Sequence, residues 1–306
     1  MQVSACQYKY HYVDKNHEPQ ETIYHKDLNL ALILSGAGSK GIAHAGVIAA
    51  FEAHDIPIDL IVGTSVGSIV GVIYADNKDI KKTTQILMNA DRQNFMKREP
   101  VVYFMRATVF NDPADFRLFT KFLQENVKAT KFEQLQIPVV AVTTDATHNK
   151  AVAFNSGPIA PAVLASCAIP GLYRPVHMKE SLFIDGGIAS QVPVQQAMTF
   201  KPKITVAVNI FSSPPNDDIK NNVAMLYRTS WIAHYQFAKL QSQMADFIIN
   251  VDATGYDWLN DPTIIDKTNL FQLGFKAAED VIKANKQLLR LSKKAAPHEK
   301  SSSSPL

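Results

Sequence analysis

Cysteine is scarce in this chain of 306 residues: only Cys6 and Cys167 are present, far apart and without metal-ligand spacing. That argues against a disulfide framework and against a cysteine-based metal site, and it suits a reducing compartment. An excess of charge of either sign is also missing. With 31 Lys and Arg against 28 Asp and Glu, the net charge of +3 is too slight to argue for a nucleic-acid partner, yet it would not repel an anionic membrane surface. No apolar run approaches the ~20 residues of a membrane span. The longest candidate, residues 56–74, is interrupted by Pro57, Asp59, glycines and serines.

The N-terminus has neither the basic nor the apolar region of a signal peptide. A cytoplasmic protein, or one exported without such a signal, is expected. One detail points elsewhere: "VSAC" ahead of Gln7 has the form of a lipoprotein cleavage site, with Cys6 as the lipidated residue if translation starts upstream.

What is present is an alternation of strand-like and helix-like segments. Residues 1–27 are polar, rich in Tyr, His and Lys, and read as an N-terminal arm. From Leu28 the strands "LNLALIL", "IDLIV", "IPVVAVTTDA", "KAVAF", "SLFIDGG", "ITVAVNI" and "DFIINV" are separated by helical patterns. Those patterns cover 42–54, 66–75, 79–92, 115–126 and 160–168, a helix from about Pro193, a long one over 220–244 and a closing one over 273–291. Residues 95–110, "FMKREPVVYFMRATVF", have poor periodicity. The tail 292–306 is low-complexity and reads as disordered. With no linker inside 28–291, the pattern predicts one α/β domain around a mostly parallel sheet.

Two glycine motifs sit at strand-to-helix junctions. The first, Gly36-Ala37-Gly38-Ser39-Lys40-Gly41, has the spacing of a dinucleotide loop, but that fold needs an acidic residue at the end of the second strand. Here Asp55 and Asp59 precede that strand instead, and Gly41 after Lys40 spoils a P-loop. As an oxyanion hole the loop is chemically sound. Its glycines let backbone N–H groups converge at a helix start, where such donors are worth ~3–4 kcal/mol to a tetrahedral intermediate. Lys40 either adds positive potential or is a solvated surface lysine.

The second motif, Gly63-Thr64-Ser65-Val66-Gly67, has the nucleophile-elbow pattern, in which a strained turn projects a serine hydroxyl from the sheet edge. The competing reading is a packing turn in which Ser65 merely caps the helix. A serine nucleophile needs a base, and the nine histidines offer poor candidates. Only His234 and His298 follow Asp185, one inside a helical pattern and one in the tail, while His44 reads as a packing residue. The alternative base is Asp185, delivered by a strand onto the turn of Gly186 and Gly187.

Together these residues resemble the patatin-like phospholipases. The resemblance runs from about Leu28 to about Asn285 and rests on the glycine loop 36–41, the elbow 63–67, and Asp185-Gly186-Gly187. It also includes the small-residue segment "ASCAIPGLYRPV" (165–176) and the "VPV" of 192–194, in the family's order. The departures are Ala37, where many members have glycine, and Ser190-Gln191 ahead of the Val-Pro pair. The resemblance implies a three-layer α/β/α sandwich with a Ser65–Asp185 dyad. It further implies an oxyanion hole from Gly36 to Gly38 and Ser39, and a reaction needing neither metal nor organic cofactor.

It also implies acyl esters of lipids as substrates and contact with a membrane surface. Transfer to a lipid alcohol, or a catalytically quiet lipid-binding role, are the alternatives on the same fold. Within the chain, 95–110 is the candidate for an acyl-pocket wall or a basic-aromatic membrane rim, against the plainer expectation of core plus loop. The apolar positions of 220–244 (Met225, Leu226, Trp231, Ile232, Tyr235, Leu240) are expected to dock that helix onto the body.

Overall fold

A computed structural model of the chain describes residues 10–22, 27–210, 222–256 and 261–292. Cys6 and the tail beyond Ser292 lie outside the described residues, and with them the lipidation and disorder expectations.

The described residues form a nine-stranded sheet. Its strands are β1 (His11–Tyr12), β2 (Leu30–Leu34), β3 (Leu60–Thr64), β4 (Val139–Asp145), β5 (Lys150–Phe154), β6 (Val176–Met178), β7 (Ser181–Asp185), β8 (Ile204–Asn209) and β9 (Phe247–Asn250). The order is β1-β6-β7-β4-β3-β2-β8-β9, with β5 also paired to β4. Pairing is parallel from β4 through β3, β2 and β8 to β9, and antiparallel where β7 meets β4 and β6. The arm is not a bystander: Tyr12 and His11 add a parallel strand beside β6, and Val13 is buried.

The central strands are apolar runs because both faces are covered. Along β2, Leu30, Leu32 and Leu34 enter one core while Ala31 and Ile33 enter the other, and β3 and β4 divide in the same way. The first face is roofed by α1 (Ile42–Ala53), α2 (Val66–Asn77), α3 (Ile80–Asn89), α5 (Arg117–Asn126), α6 (Ile159–Ser166) and α9 (Ile264–Ala284). The second carries α7 (Val194–Met198), Phe200 and, at Ala238, α8 (Asn222–Ser242). This is the three-layer sandwich expected.

Three segments depart from the sequence reading. Residues 95–110 divide: Phe95 and Met96 pack inward, whereas α4 (Pro100–Phe110) is a helix with only Pro100 buried. It shows poor periodicity because most of its circumference faces solvent. The helix over 220–244 forms, but its apolar stripe does not dock: Met225, Leu226, Ile232 and Leu240 are exposed, and it seats instead through Ala238, Gln241 and Ser242. The closing helix begins at Ile264, nine residues earlier than expected, because Thr263 and Asp266 form a capping box. It ends at Ala284, capped by Asn285 ahead of the short α10 (Lys286–Leu289).

One feature of the pairing positions the site. Strand β4 bears β5 along one edge, from Ala141 to Asp145. On its other edge β3 pairs up to Val142, where Thr64 sits, and β7 takes over at Thr143, opposite Asp185. The ends of β3 and β7, far apart in the chain, therefore abut at neighbouring residues of β4.

Candidate active site

Where β3 ends, the chain turns abruptly into α2 through Ser65, whose φ of 51° and ψ of −125° are rare for a residue with a side chain. The flanking glycines make this turn possible. A Cβ on Gly67 would lie 2.4 Å from the Leu34 carbonyl oxygen, and one on Gly63 would run into Gly67 itself. The turn's backbone is held from α6: the Ser65 N–H donates to Ser166 Oγ at 2.8 Å, and that hydroxyl donates to the Val142 carbonyl at 2.6 Å. Ser65 also stands at the N-terminal end of α2, where the helix dipole favours negative charge.

At the end of β7, Asp185 accepts a hydrogen bond from Ser65 Oγ at 2.7 Å and one from the Gly187 N–H at 2.8 Å. Gly186 makes the approach possible, since its Cβ would fall 2.1 Å from the Val142 carbonyl oxygen. Both side chains are buried. Burial pushes the Asp185 carboxyl up to about 6, against the opposing pull of the two hydrogen bonds and of His234 on α8. A hydroxyl hydrogen-bonded to such a carboxylate has the geometry of a nucleophile in contact with a base.

Cys167 lines the same space, but burial and the Asp185 charge hold its thiol protonated. It is no rival nucleophile. Another serine–histidine–aspartate group, Ser181, His148 and Asp145, also fails as a relay. The same ring nitrogen, Nδ1, faces both Asp145 at 2.8 Å and Ser181 at 3.2 Å, whereas a triad uses opposite nitrogens. His44 is buried against the Ser35 carbonyl and lowered to about 4, so it is a neutral packing residue.

The loop 36–41 lies across the start of α2. A Cβ on Gly41 would overlap Val66. Gly38 and Ser39 line the cavity beside Ser65. Gly36 does not share that role: its N–H donates to the Gln191 carbonyl at 3.0 Å and its own carbonyl accepts from Gln191 Nε2 at 2.6 Å. The expected set of donors therefore shrinks at its first member, and Gly36 becomes the loop's anchor. Lys40 is buried rather than a solvated surface lysine.

From Ser65 a cavity of about 170 Å³ extends between α2, α3 and the segment before α4. Its walls are Ile42, Val66, Ile69, Phe95, Met96 and Leu172, and Asp91, Arg92, Asp261 and Lys267 bring polar groups to its lining. Among the described residues no cluster of His, Cys, Asp or Glu is arranged to hold a metal ion.

The family model described as patatin-like phospholipase matches residues 32–198, more than half of the chain, including the glycine loop, Ser65 and Asp185. The chain belongs to the patatin-like phospholipase family. Relatives include lysophospholipase NTE1 of Scheffersomyces stipitis, 30% identical over 191 residues, covering 60% of this chain and 12% of that protein. Human patatin-like phospholipase domain-containing protein 6 is 29% identical over 192 residues, covering 61% and 14%. An uncharacterised NTE family protein of Mycobacterium bovis is 31% identical over 199 residues, covering 63% and 53%. The chain thus spans only a small part of the first of these. Among solved structures, VipD from Legionella pneumophila shares the fold, with a TM-score of 0.57 at 16% identity over 85% of this chain and 67% of that one.

Within the patatin-like domain, sequence reasoning missed two residues that hold the site together. Ser166 lies in the quoted segment 165–176, but nothing local shows that its hydroxyl reaches back to β4 and the elbow. Gln191 drew notice only as a departure before the Val-Pro pair, and it ties the glycine loop to the turn after Asp185.

Proposed function

We propose that this chain is a lipid acyl-ester hydrolase of the phospholipase A or lysophospholipase type, with Ser65 as nucleophile and Asp185 as base. The observation that carries the reading is the 2.7 Å hydrogen bond from Ser65 Oγ to a buried carboxylate, at a strained turn opening on an apolar cavity. The acyl chain lies along Ile69, Phe95 and Met96. Ser65 Oγ attacks the ester carbonyl as Asp185 takes its proton, and the N–H groups of Gly38 and Ser39 receive the oxyanion. Asp185 then returns the proton to the departing alcohol. Water, deprotonated by the same carboxylate, attacks the acyl-enzyme carbonyl, and the fatty acid leaves as Asp185 returns that proton to Ser65 Oγ. Gly187 fixes the carboxylate's orientation throughout.

A fluorophosphonate probe should label the pure protein at Ser65, and Ser65→Ala should lose both labelling and the release of fatty acid from phospholipid and lysophospholipid. Full hydrolysis by Ser65→Ala would overturn the assignment. Acyl transfer to an added lipid alcohol in preference to water would replace hydrolase by transferase on the same pair.

A further inference from the structure

Helix α4 contradicts the usual economy of a folded surface. Val101, Phe104, Met105, Val109 and Phe110 all face solvent, the last three at 60%, 67% and 67% exposure. A contiguous exposed apolar face of this kind marks a surface that meets something. It borders the cavity. Pro100, its first residue, lines that cavity, and the Phe104 ring lies over Gly171, next to the lining residues Leu172 and Tyr173.

The charges around it select the partner. Helix α4 contains no Asp or Glu, and its approach carries the exposed Lys97 and Arg98. The acids flanking it are paired: Glu99 is engaged by Arg92 at 2.7 Å, Asp112 by Arg106 and Asp115 by Arg117. Helix α8 repeats the composition. It has no acidic residue between Asn222 and Ser242, it carries Arg228 and Lys239, and Leu226 and Leu240 are exposed on it. Its Gln241 accepts from the Val192 N–H at 2.9 Å, in the segment that follows the Asp185 turn, which sets the end of that helix near the site. Apolar side chains beside cations, with the flanking carboxylates already paired, are complementary to an anionic lipid surface, where headgroups meet the cations and acyl chains the apolar face.

We infer that α4, assisted by α8, is the surface by which the protein seats on a bilayer containing anionic phospholipid, so that the cavity opens toward the lipids it takes. The lipid-hydrolase reading explains why such a surface lies beside the site, but the test does not depend on it.

The test is co-sedimentation with vesicles of phosphatidylcholine alone and of phosphatidylcholine mixed with phosphatidylserine, using wild-type protein and Ser65→Ala in parallel. Both should partition into the mixed vesicles and much less into phosphatidylcholine. Lys97→Gln and Arg98→Gln should each lower the partition coefficient about fivefold. Met105→Ser and Phe110→Ser, and Leu226→Ser on α8, should each lower it about tenfold or more. These variants should keep the wild-type circular dichroism and, with a soluble p-nitrophenyl ester, the wild-type rate. Undiminished vesicle binding by the α4 variants would overturn the inference, as would no preference for anionic vesicles. So would concentration-dependent dimerisation abolished by the same substitutions, because the face would then belong to a second copy. An inactive protein that still binds anionic vesicles through α4 would sink the hydrolase reading and leave this one standing.

Discussion

Replacing Asp185 by Asn removes a charge while keeping the shape of the side chain, and its effects on activity and stability should run in opposite directions. The amide oxygen can still accept from the Gly187 N–H, and the amide nitrogen can donate to Ser65 Oγ, so neither hydrogen bond need be lost. The proton acceptor is gone, and hydrolysis should fall by roughly a thousandfold or more. Stability follows from the carboxyl being raised from 3.8 to about 6 by burial. Below 3.8 the folded and unfolded chains both carry the proton and the charge costs nothing. As pH rises from 3.8 to about 6, the unfolded chain releases the proton and the folded one keeps it, so folding becomes less favourable. Above both values the cost is about 3 kcal/mol. The Asp185→Asn variant escapes that cost. Chemical denaturation should show the two proteins equally stable at about pH 3 and below, with the variant ahead by about 3 kcal/mol near about pH 8. A difference that does not change with pH, or a variant that is the weaker protein in mild alkali, would refute the reasoning.

If Asp185 is the base, the same carboxyl should set the pH dependence of wild-type turnover. kcat/KM for a soluble ester should climb about tenfold per pH unit below about 6 and level off above it; a plateau already reached near 4 would show that the base is some other group. Ser166→Ala strands the buried Ser65 N–H and Val142 carbonyl and should cost about 2–4 kcal/mol of stability, with kcat falling more than KM rises. Gly67→Ala places a methyl group 2.4 Å from the Leu34 carbonyl oxygen. Its soluble yield should collapse, or its unfolding free energy drop by about 3 kcal/mol or more in a denaturant titration.

How much of this could be read from residue order depends on how local each cause is. The elbow and the Asp-Gly-Gly turn announce themselves because a tight turn needs glycine at particular offsets, and those offsets lie within five residues. The central strands are equally plain, since a strand covered on both faces is an unbroken apolar run. The partners of those motifs are not local. Ser166 lies 101 residues from the elbow it supports, and Gln191 lies 155 from the loop it ties. Serine and glutamine are common enough that neither stands out. The short strands β1 and β6 gave no periodic signal at two and three residues. Helix α4 was obscured for a different reason: amphipathic reading assumes that apolar side chains face inward, and here they face out. The stripe of α8 misled in the same way, with its helix expected and its apolar face assigned to the wrong side.

The shared edge of β4 has a consequence for how the protein is made. Because β3 stops at Val142 and β7 begins at Thr143, the serine and the aspartate are aligned by the main chain of a strand that carries neither. A chain leaving the ribosome completes the elbow long before it has synthesised the carboxylate that answers it. Even then the two remain apart until residues 181–185 have laid themselves antiparallel along the last three residues of β4. On the proposed chemistry, reactivity toward esters is thus withheld through most of synthesis and switched on by a long-range pairing.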